Sequence, residues 1–295
     1  MSYNFETQTH GKWILAGEHA VLRGHGALVF PCKDKKLILS YRKSTNKLNA
    51  DYEGDSGANM HLLFWSVIEH GARMLDISLN DLQGYFHINC NIPIGVGMGA
   101  SAALCVATAR WFYSQKLISA NAISTFATSL ENLFHGKSSG LDIAGVANPS
   151  GIYFCNGKTE ALNPCWNPNW YLSSCGQIGV TSHCIKQVEQ LWQEQPILAQ
   201  AIDQQMSQSV LLAKKALSHP FSERLDMLAA AINSAADCFR KWGLISKSLE
   251  QHMAHLLEQG ALAVKPTGSG GGGYVISLWG KPALEGCLKY SKDAV

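Results

Sequence analysis

Apolar and polar residues alternate over short stretches in the first third of the chain, a pattern typical of half-buried β-strands. The strands that this alternation predicts cover residues 3–8, 12–16, 27–30, 37–41 and 85–90. Pro31 is expected to end the third of them. The polar stretch 43–57 has few apolar side chains and predicts a flexible surface loop.

Helical spacing of apolar residues dominates the rest of the chain. It begins at residues 58–75, and the stretch 101–116 is apolar on nearly every side, as expected of a helix buried inside a domain. Further helices are predicted at 119–134, 183–193, 197–218, 221–241 and 244–258, and further strands at 171–180, 262–265 and 274–279. These elements predict a mixed α+β fold, with two sheets that each carry helices on one side.

A stretch with two prolines, residues 163–169, has few side chains able to pack on one face and predicts a linker. The expected organisation is therefore two domains, an N-terminal one over residues 1–168 and a C-terminal one over residues 169–295.

Composition and charge exclude several classes of protein. Hydrophobic residues make up 46% of the 295 residues and charged residues 16%, which is enough apolar surface for sizeable cores. The formal net charge of +2 gives no electrostatic basis for binding nucleic acid or an anionic membrane. The nine cysteines include no CxxC pair, which disfavours both a zinc knuckle and a disulfide framework. With no recognisable signal peptide and no long apolar run, the expected location is the cytoplasm.

The 27 glycines are concentrated in a few tracts, and one of them is a candidate phosphate-binding loop. Residues 95–101 lie between a strand and a buried helix, where backbone N–H groups and the helix dipole can bind phosphate. The dinucleotide fingerprint GxGxxG is excluded, because Ala100 and Ala102 occupy the positions where its third glycine would fall. A P-loop ending at Ser138 is excluded as well, because it would need glycine at the position of Glu131. A turn that needs unusual backbone angles but binds no ligand stays an alternative.

Four polar side chains could carry chemistry beside this loop. Ser101 could contact a metal on bound phosphates, or simply cap the helix. Glu131 and Asp142 flank a Gly- and Ser-rich turn, so one carboxylate could bind magnesium while the other accepts a hydroxyl proton. A lysine such as Lys12 close to that aspartate would stabilise an attacking alkoxide. Taken singly, each of the charged residues could equally be a solvated surface residue.

Three motifs, in this order along the chain, resemble those of the GHMP kinases. They are GKWILAGEHAVLRGHGALVFP at 11–31, PIGVGMGASAA at 93–103 and KPTGSGGGGY at 265–274. Within that family the chain most resembles the mevalonate kinases, because GEHAV at 17–21 and HGKSSGLD at 135–142 are similar to their GEHAV and HGxxSGxD patterns. Under a fifth of the chain carries these motifs, but they extend from residue 11 to residue 274.

The resemblance implies a role for each matching residue. It implies that Asp142 is the catalytic base with Lys12 beside it, and that Ser101 and Glu131 bind Mg²⁺. The loop around the ATP phosphates would consist of Gly95, Val96, Gly97, Met98, Gly99, Ala100, Ser101 and Ala102. Glu18, His19 and Thr267 would line the acceptor pocket. The implied fold is an N-terminal ribosomal-protein-like domain and a C-terminal ferredoxin-like domain, with the active site in the cleft.

The expected function is ATP-dependent phosphorylation of the primary hydroxyl of mevalonate, a step in isoprenoid biosynthesis, with Mg²⁺ as cofactor. The expected partners are ATP and a small hydroxylated acid, and a homodimer is left open. Lys265-Pro266 is similar to phosphomevalonate kinases, so an acceptor that already carries a phosphate stays an alternative. A non-catalytic regulator of the same fold that binds nucleotide is a third possibility, although such a binder would need no base.

Overall fold

The computed structural model describes residues 3–136, 138–220 and 222–282, and these form the mixed α+β fold that the sequence predicts. The strands are β1 (Phe5–Ala16), β2 (Ala27–Lys47), β3 (Asn49–Glu53), β4 (Gln83–Cys90), β5 (Ile152–Cys155), β6 (Lys158–Ala161), β7 (Asn169–Ser174), β8 (Ala263–Thr267) and β9 (Tyr274–Trp279). The α-helices are α1 (Gly57–Met74), α2 (Ala100–Ser114), α3 (Ile123–His135), α4 (Leu141–Ala147), α5 (Thr181–Glu194), α6 (Pro196–Ser218), α7 (Arg224–Lys241) and α8 (Lys247–Glu258).

The chain forms two compact units, and each is assembled from separate stretches of sequence. The first unit consists of Met1–Lys12, Cys32–Ile94 and Met98–Pro149, and the second of Trp13–Pro31, Gly95–Gly97 and Ser150–Val295. The domain boundary expected between residues 168 and 169 stays a prediction. Residues 283–295 of the expected C-terminal domain lie outside the described part of the chain.

The first unit packs helices on a sheet built around β4. Residues 37–47 of β2 run antiparallel to β4, and β3 runs parallel to it on its other side. Helix α1 packs on β3 and β4, and α2 packs against α1, α3 and α4. Leu104 and Cys105 of α2 are fully buried, as are most of their neighbours in this helix. The prediction of a helix buried inside a domain is therefore confirmed.

The second unit contains a three-stranded antiparallel sheet in the order β7-β9-β8, with α7 and α8 packed on β8. Residues 27–29 of β2 pair with β5, which pairs in turn with β6. The rings of Trp13, Phe30 and Trp170 pack together, with centroids 4.7 to 5.2 Å apart. Because these large rings are almost fully buried, they form a substantial part of the core of this unit.

Two predictions about β2 and the following segment were wrong. Strand β2 runs through Pro31 without interruption, because the fixed φ of proline suits an extended chain wherever its missing N–H is not needed. The segment 43–57 is not a loop, since β2 continues to Lys47 and β3 follows at once. Strand β3 is only five residues long, with Ala50 and Tyr52 between three polar residues, and its backbone pairing with β4 is what defines it as a strand.

Smaller differences concern element ends and one short helix. Strand β7 ends at Ser174 rather than near residue 180. Ser119 was expected to cap α3, but it precedes a short 3-10 turn instead. Helix α4 was not predicted, because it directly follows a Gly- and Ser-rich turn. Within the described ranges, no helix combines the length and the apolar character needed to cross a membrane.

Candidate functional site

An ion pair between Lys12 and Asp142 stands at the centre of the candidate site in the first unit. Lys12 Nζ lies 2.9 Å from Asp142 Oδ1, and the Lys12 side chain is 2% exposed against 30% for Asp142. Lys12 is on β1, whereas Asp142 is in the first turn of α4, which begins after Gly140 at a φ of 80°. The structure therefore brings together the two residues predicted to be catalytic, a buried cation and a carboxylate that solvent can reach.

Gly99 allows the glycine loop to approach Lys12 closely. A Cβ atom at this position would lie 2.9 Å from Lys12 Cγ and 3.1 Å from Val146 Cγ1, and the φ of 78° also disfavours any residue with a side chain. The N–H of Lys12 donates to the carbonyl of Met98 at 2.9 Å. The loop and the lysine are thus fixed to each other through both backbone and side chain.

Three glycines of the loop have backbone angles that other residues rarely adopt. Gly95, Gly97 and Gly99 have left-handed angles, with φ of 78°, 81° and 78°, and glycines in this conformation at every second position are typical of loops that turn N–H groups towards an anion. Helix α2 starts after Gly99, and no described side chain caps its N-terminus. Its first N–H groups, including those of Ala100, Ser101 and Ala102, have no acceptor within the helix and can bind phosphate oxygens.

Glu131 is a buried carboxylate with one oxygen left without a partner. Glu131 lies on α3, and only 1% of its surface is exposed. Ser138 Oγ donates a hydrogen bond to Oε2, whereas Oε1 has no hydrogen-bond partner among the described residues. Burial, and secondly the charge of Asp142, raise the pKa of Glu131 to about 8, although Ser138 and Lys12 act in the opposite direction. An orphaned buried oxygen of this kind is poised to bind a cation.

Ser101 lies half-buried in the first turn of α2, and α2 packs directly against α3, the helix that carries Glu131. Burial raises the pKa of the Cys105 thiol, one turn after Ser101, and the charge of Glu131 raises it further. The carboxylate of Glu131 therefore acts on the N-terminal half of α2.

A divalent cation fits these residues as an oxygen-bound ion. The described residues contain no cluster of three His, Cys, Asp or Glu side chains that could hold a metal by themselves. One carboxylate oxygen and one hydroxyl would leave most of the coordination sphere to other ligands. This is the usual arrangement for a metal ion that arrives with nucleotide phosphates and keeps several waters.

The second unit contains the residues predicted to line the acceptor pocket, and Glu18 there forms a buried ion pair. Lys265 Nζ lies 2.6 Å from Glu18 Oε1, with side-chain exposures of 0% and 2%. The same ammonium group donates to the carbonyl of Ile14 at 3.3 Å and lies 5.2 Å from the ring centre of Phe239. Lys265 is thus fully engaged by its surroundings.

His19 is held as a neutral imidazole. It has a left-handed φ of 56°, and its Nε2 lies 2.8 Å from the carbonyl oxygen of Ser269. Burial lowers its pKa to about 4, and the hydrogen bond to Ser269 only partly offsets this effect. The rings of Trp242 and Phe239 pack edge-on against it. A neutral His19 can take part in hydrogen bonds at pH 7 but brings no positive charge.

Thr267 binds the backbone of β1 with its hydroxyl. Its Oγ1 accepts from the N–H of Ile14 at 2.7 Å and donates to the carbonyl of the same residue at 3.0 Å. A contact of this hydroxyl with a substrate therefore stays a prediction. Gly97 of the glycine loop lies close to Thr267 as well, since a Cβ there would be 3.3 Å from the Thr267 carbonyl oxygen.

Three site features escaped the sequence reasoning. Ser138 was not assigned a role, because it occupies an open position of the HGxxSGxD pattern. The pairing of Lys265 with Glu18 was also missed, although a lysine within an otherwise apolar strand is a signal of a buried partner. The third feature is the bidentate pair of Arg23 with the fully buried Asp203, which joins residues distant in sequence and left no local pattern.

Comparison with known proteins finds relatives along most of the chain. The family model described as GHMP kinases N terminal domain matches residues 63–148. The mevalonate kinase of Thermococcus gammatolerans is 30% identical, covering 90% of this chain and 86% of that protein.

Two solved structures have the same fold as this chain. The structure of L. major mevalonate kinase in complex with R-mevalonate has a TM-score of 0.76 at 22% identity, over 94% of this chain and 88% of that one. The structure of Streptococcus pneumoniae phosphomevalonate kinase in complex with phosphomevalonate and AMPPNP has a TM-score of 0.73 at 16% identity, over 94% and 92%. With a relative 30% identical over nine-tenths of its length, the chain belongs to the mevalonate kinase family of the GHMP kinases.

Proposed function

We propose that this protein transfers the γ-phosphoryl group of ATP to the primary hydroxyl of mevalonate, which gives 5-phosphomevalonate. The observation that carries the proposal is the Lys12–Asp142 ion pair beside a glycine loop and a helix N-terminus able to bind phosphate. The mevalonate kinase relatives supply the identity of the acceptor.

Asp142 is the proposed base. Its carboxylate is partly exposed, so a substrate hydroxyl can reach it, and Lys12 holds it in one orientation. During attack the hydroxyl proton passes to a carboxylate oxygen of Asp142, and the ammonium group of Lys12 stabilises the developing alkoxide. Because phosphoryl transfer depends mainly on positioning and charge stabilisation, this pair needs to supply only part of the rate enhancement.

The backbone around α2 is proposed to hold the phosphates. The N–H groups of Ala100, Ser101 and Ala102 point out of the free end of the helix, where its dipole also favours negative charge. Gly99 keeps this end of the helix against Lys12. An anion site made of amide groups needs few cationic side chains, in keeping with the net charge of only +2.

Ser101 and Glu131 are the proposed protein ligands for Mg²⁺. Oε1 of Glu131 is the buried oxygen that lacks a partner, and Ser101 is in the first turn of α2, against which α3 packs. When bound, Mg²⁺ would neutralise charge on the β- and γ-phosphates. Glu131 is the ligand that carries the negative charge of this pair.

Glu18, His19 and Thr267 are proposed to line the acceptor pocket, as the family resemblance implies. Neutral His19 suits a hydroxyl group rather than a second phosphate. Lys265 would be the obvious cation for a phosphorylated acceptor, but its ammonium group is fully buried and paired with Glu18. This favours mevalonate over phosphomevalonate as the substrate.

Lys12 and Asp142 argue against a purely regulatory protein, because a nucleotide binder needs no base.

A coupled assay of ADP release tests the proposal. Mevalonate, phosphomevalonate, homoserine and galactose are offered side by side with ATP and Mg²⁺. We expect turnover with mevalonate alone, and a product phosphorylated at its primary hydroxyl. Turnover with phosphomevalonate but not with mevalonate would identify phosphomevalonate as the acceptor instead. ATP binding without transfer to any of the four compounds would favour the non-catalytic regulator.

A further inference from the structure

Ser138 links the carboxylate of Glu131 to the start of the helix that carries Asp142. Its Oγ donates to Glu131 Oε2 and accepts from the N–H of Gly140 at 3.1 Å, and its own N–H donates to Asn132 Oδ1 at 2.8 Å. Glu131 and Asn132 belong to α3, whereas Gly140 is the residue from which α4 starts. One half-buried serine therefore joins the end of α3 to the start of the helix that carries Asp142.

The hydrogen bond to Glu131 decides which of its carboxylate oxygens is available. Rotation about the last side-chain bond of a glutamate is soft and would exchange the two oxygens. Ser138 Oγ holds Oε2, and Oε1 is then left without a partner in the buried site. Leaving one oxygen of a buried carboxylate unpaired is unfavourable in the absence of a ligand. A cation bound to the unpaired oxygen would remove this unfavourable effect.

We propose that Ser138 is a positioning residue for phosphoryl transfer, which holds Glu131 so that Oε1 faces the metal of the metal–nucleotide complex. This inference rests on the proposed function, because it assumes that Glu131 is a metal ligand. In this role Ser138 would contact neither metal nor substrate. It acts as hydrogen-bonding partners of metal ligands commonly do, by fixing the orientation of the ligand.

A purely structural role for Ser138 makes different predictions. If the serine only stabilised the turn between α3 and α4, its loss would lower thermal stability and leave the metal dependence of nucleotide binding unchanged. If it positions Glu131, its loss weakens binding of the metal complex specifically. Loss of the partner of a metal ligand typically weakens metal affinity about 10- to 100-fold.

The experiment compares the affinity of the full chain for a non-hydrolysable ATP analogue with and without Mn²⁺. The affinity with Mn²⁺ divided by the affinity without it reports the contribution of the metal. The electron paramagnetic resonance spectrum of bound Mn²⁺ reports its coordination. The variants are Ser138→Ala, Ser138→Thr and Ser129→Ala. Ser129 is a matched control, because it lies on α3 two residues from Glu131 and its hydroxyl bonds only to the Thr125 carbonyl among the described contacts.

We expect the ratio to fall about 10- to 100-fold in Ser138→Ala, with a changed Mn²⁺ spectrum and unchanged binding of the metal-free analogue. Ser138→Thr keeps the hydroxyl and should restore the ratio, and Ser129→Ala should match the wild type. The positioning role is overturned if Ser138→Ala keeps the wild-type ratio, or if metal-free binding falls as much as metal-dependent binding. A wild-type protein with no metal-dependent binding would refute the proposed function itself, and the inference about Ser138 with it.

Discussion

Replacing Glu131 with glutamine should stabilise the metal-free protein, and by an amount that grows with pH. Glu131 is 1% exposed, and burial together with the charge of Asp142 raises its pKa from 4.5 to about 8. The folded protein therefore favours the protonated acid, while the unfolded chain releases the proton near pH 4.5. Glutamine has nearly the same shape and stays neutral at every pH, and it can still hydrogen-bond to Ser138.

The sign and size of the effect follow from proton linkage. Between pH 4.5 and about 8 the folded state binds more protons at Glu131 than the unfolded state, so the stability contributed by this group is greatest at low pH and decreases as pH rises. Each rise of one pH unit in that window lowers the free energy of unfolding of the wild type by about 1.4 kcal/mol. By pH 8 the wild type should have lost on the order of 4 kcal/mol relative to the glutamine variant, a large part of a typical folding free energy.

Urea denaturation followed by the fluorescence of the eight tryptophans measures this difference. Wild type and Glu131→Gln are compared at intervals from pH 5 to pH 8, with a chelator present and no nucleotide. Titrating groups far from Glu131 are common to both proteins and cancel in the difference, whereas the interactions of Glu131 with Asp142 and Lys12 are part of the measured effect. Glu69→Gln on α1 is the matched control for the chemical change, because the Glu69 side chain is 56% exposed rather than buried.

A difference between wild type and Glu131→Gln that stays constant from pH 5 to pH 8 would refute this reasoning. A wild type that gained stability relative to the variant as pH rises would refute it more strongly, because Glu131 would then be more stable ionised than protonated. We also expect Mg²⁺ with ATP to stabilise the wild type while releasing a proton, and to stabilise the variant less.

Three further predictions concern single residues. Gly99→Ala should weaken nucleotide binding in a titration, because a Cβ would lie 2.9 Å from Lys12 Cγ on a left-handed backbone. Thr267→Val should lower the free energy of unfolding by about 1–3 kcal/mol, because a buried N–H of Ile14 loses its acceptor, and Thr267→Ser should recover most of it. The stability contributed by neutral His19 should be present above pH 6.5 and lost as pH falls towards 4, and denaturation curves of His19→Asn should lack that loss.

Much of the site could be predicted from sequence because its signals are local. The glycines at 95, 97 and 99 precede an apolar helix, and the backbone angles confirm that these positions need glycine. Lys12 and Asp142 are far apart in sequence, and the family resemblance predicts that they lie side by side, as they do in the 2.9 Å ion pair. Motifs of this kind locate backbone geometry well, because few residues other than glycine tolerate it.

The features that sequence reasoning missed depend on tertiary contacts. Strand β3 alternates polar residues with Ala50 and Tyr52 over only five positions, too few to separate a strand from a loop by pattern, and its backbone pairing with β4 defines it. The role of Ser138 follows from the direction of one hydroxyl, and serines are common in turns for other reasons. The partner of Lys265 lies 247 positions away, and no periodicity connects residues at that distance.

Turnover of Asp142→Asn with mevalonate tests the central claim most directly. The substitution removes the base but keeps a side chain of the same size next to Lys12, and circular dichroism with ATP titration checks that the variant folds and binds nucleotide. We predict that formation of phosphomevalonate falls about 10²- to 10⁴-fold while ATP affinity is nearly unchanged. Turnover close to that of the wild type would contradict the assignment of Asp142 as the base.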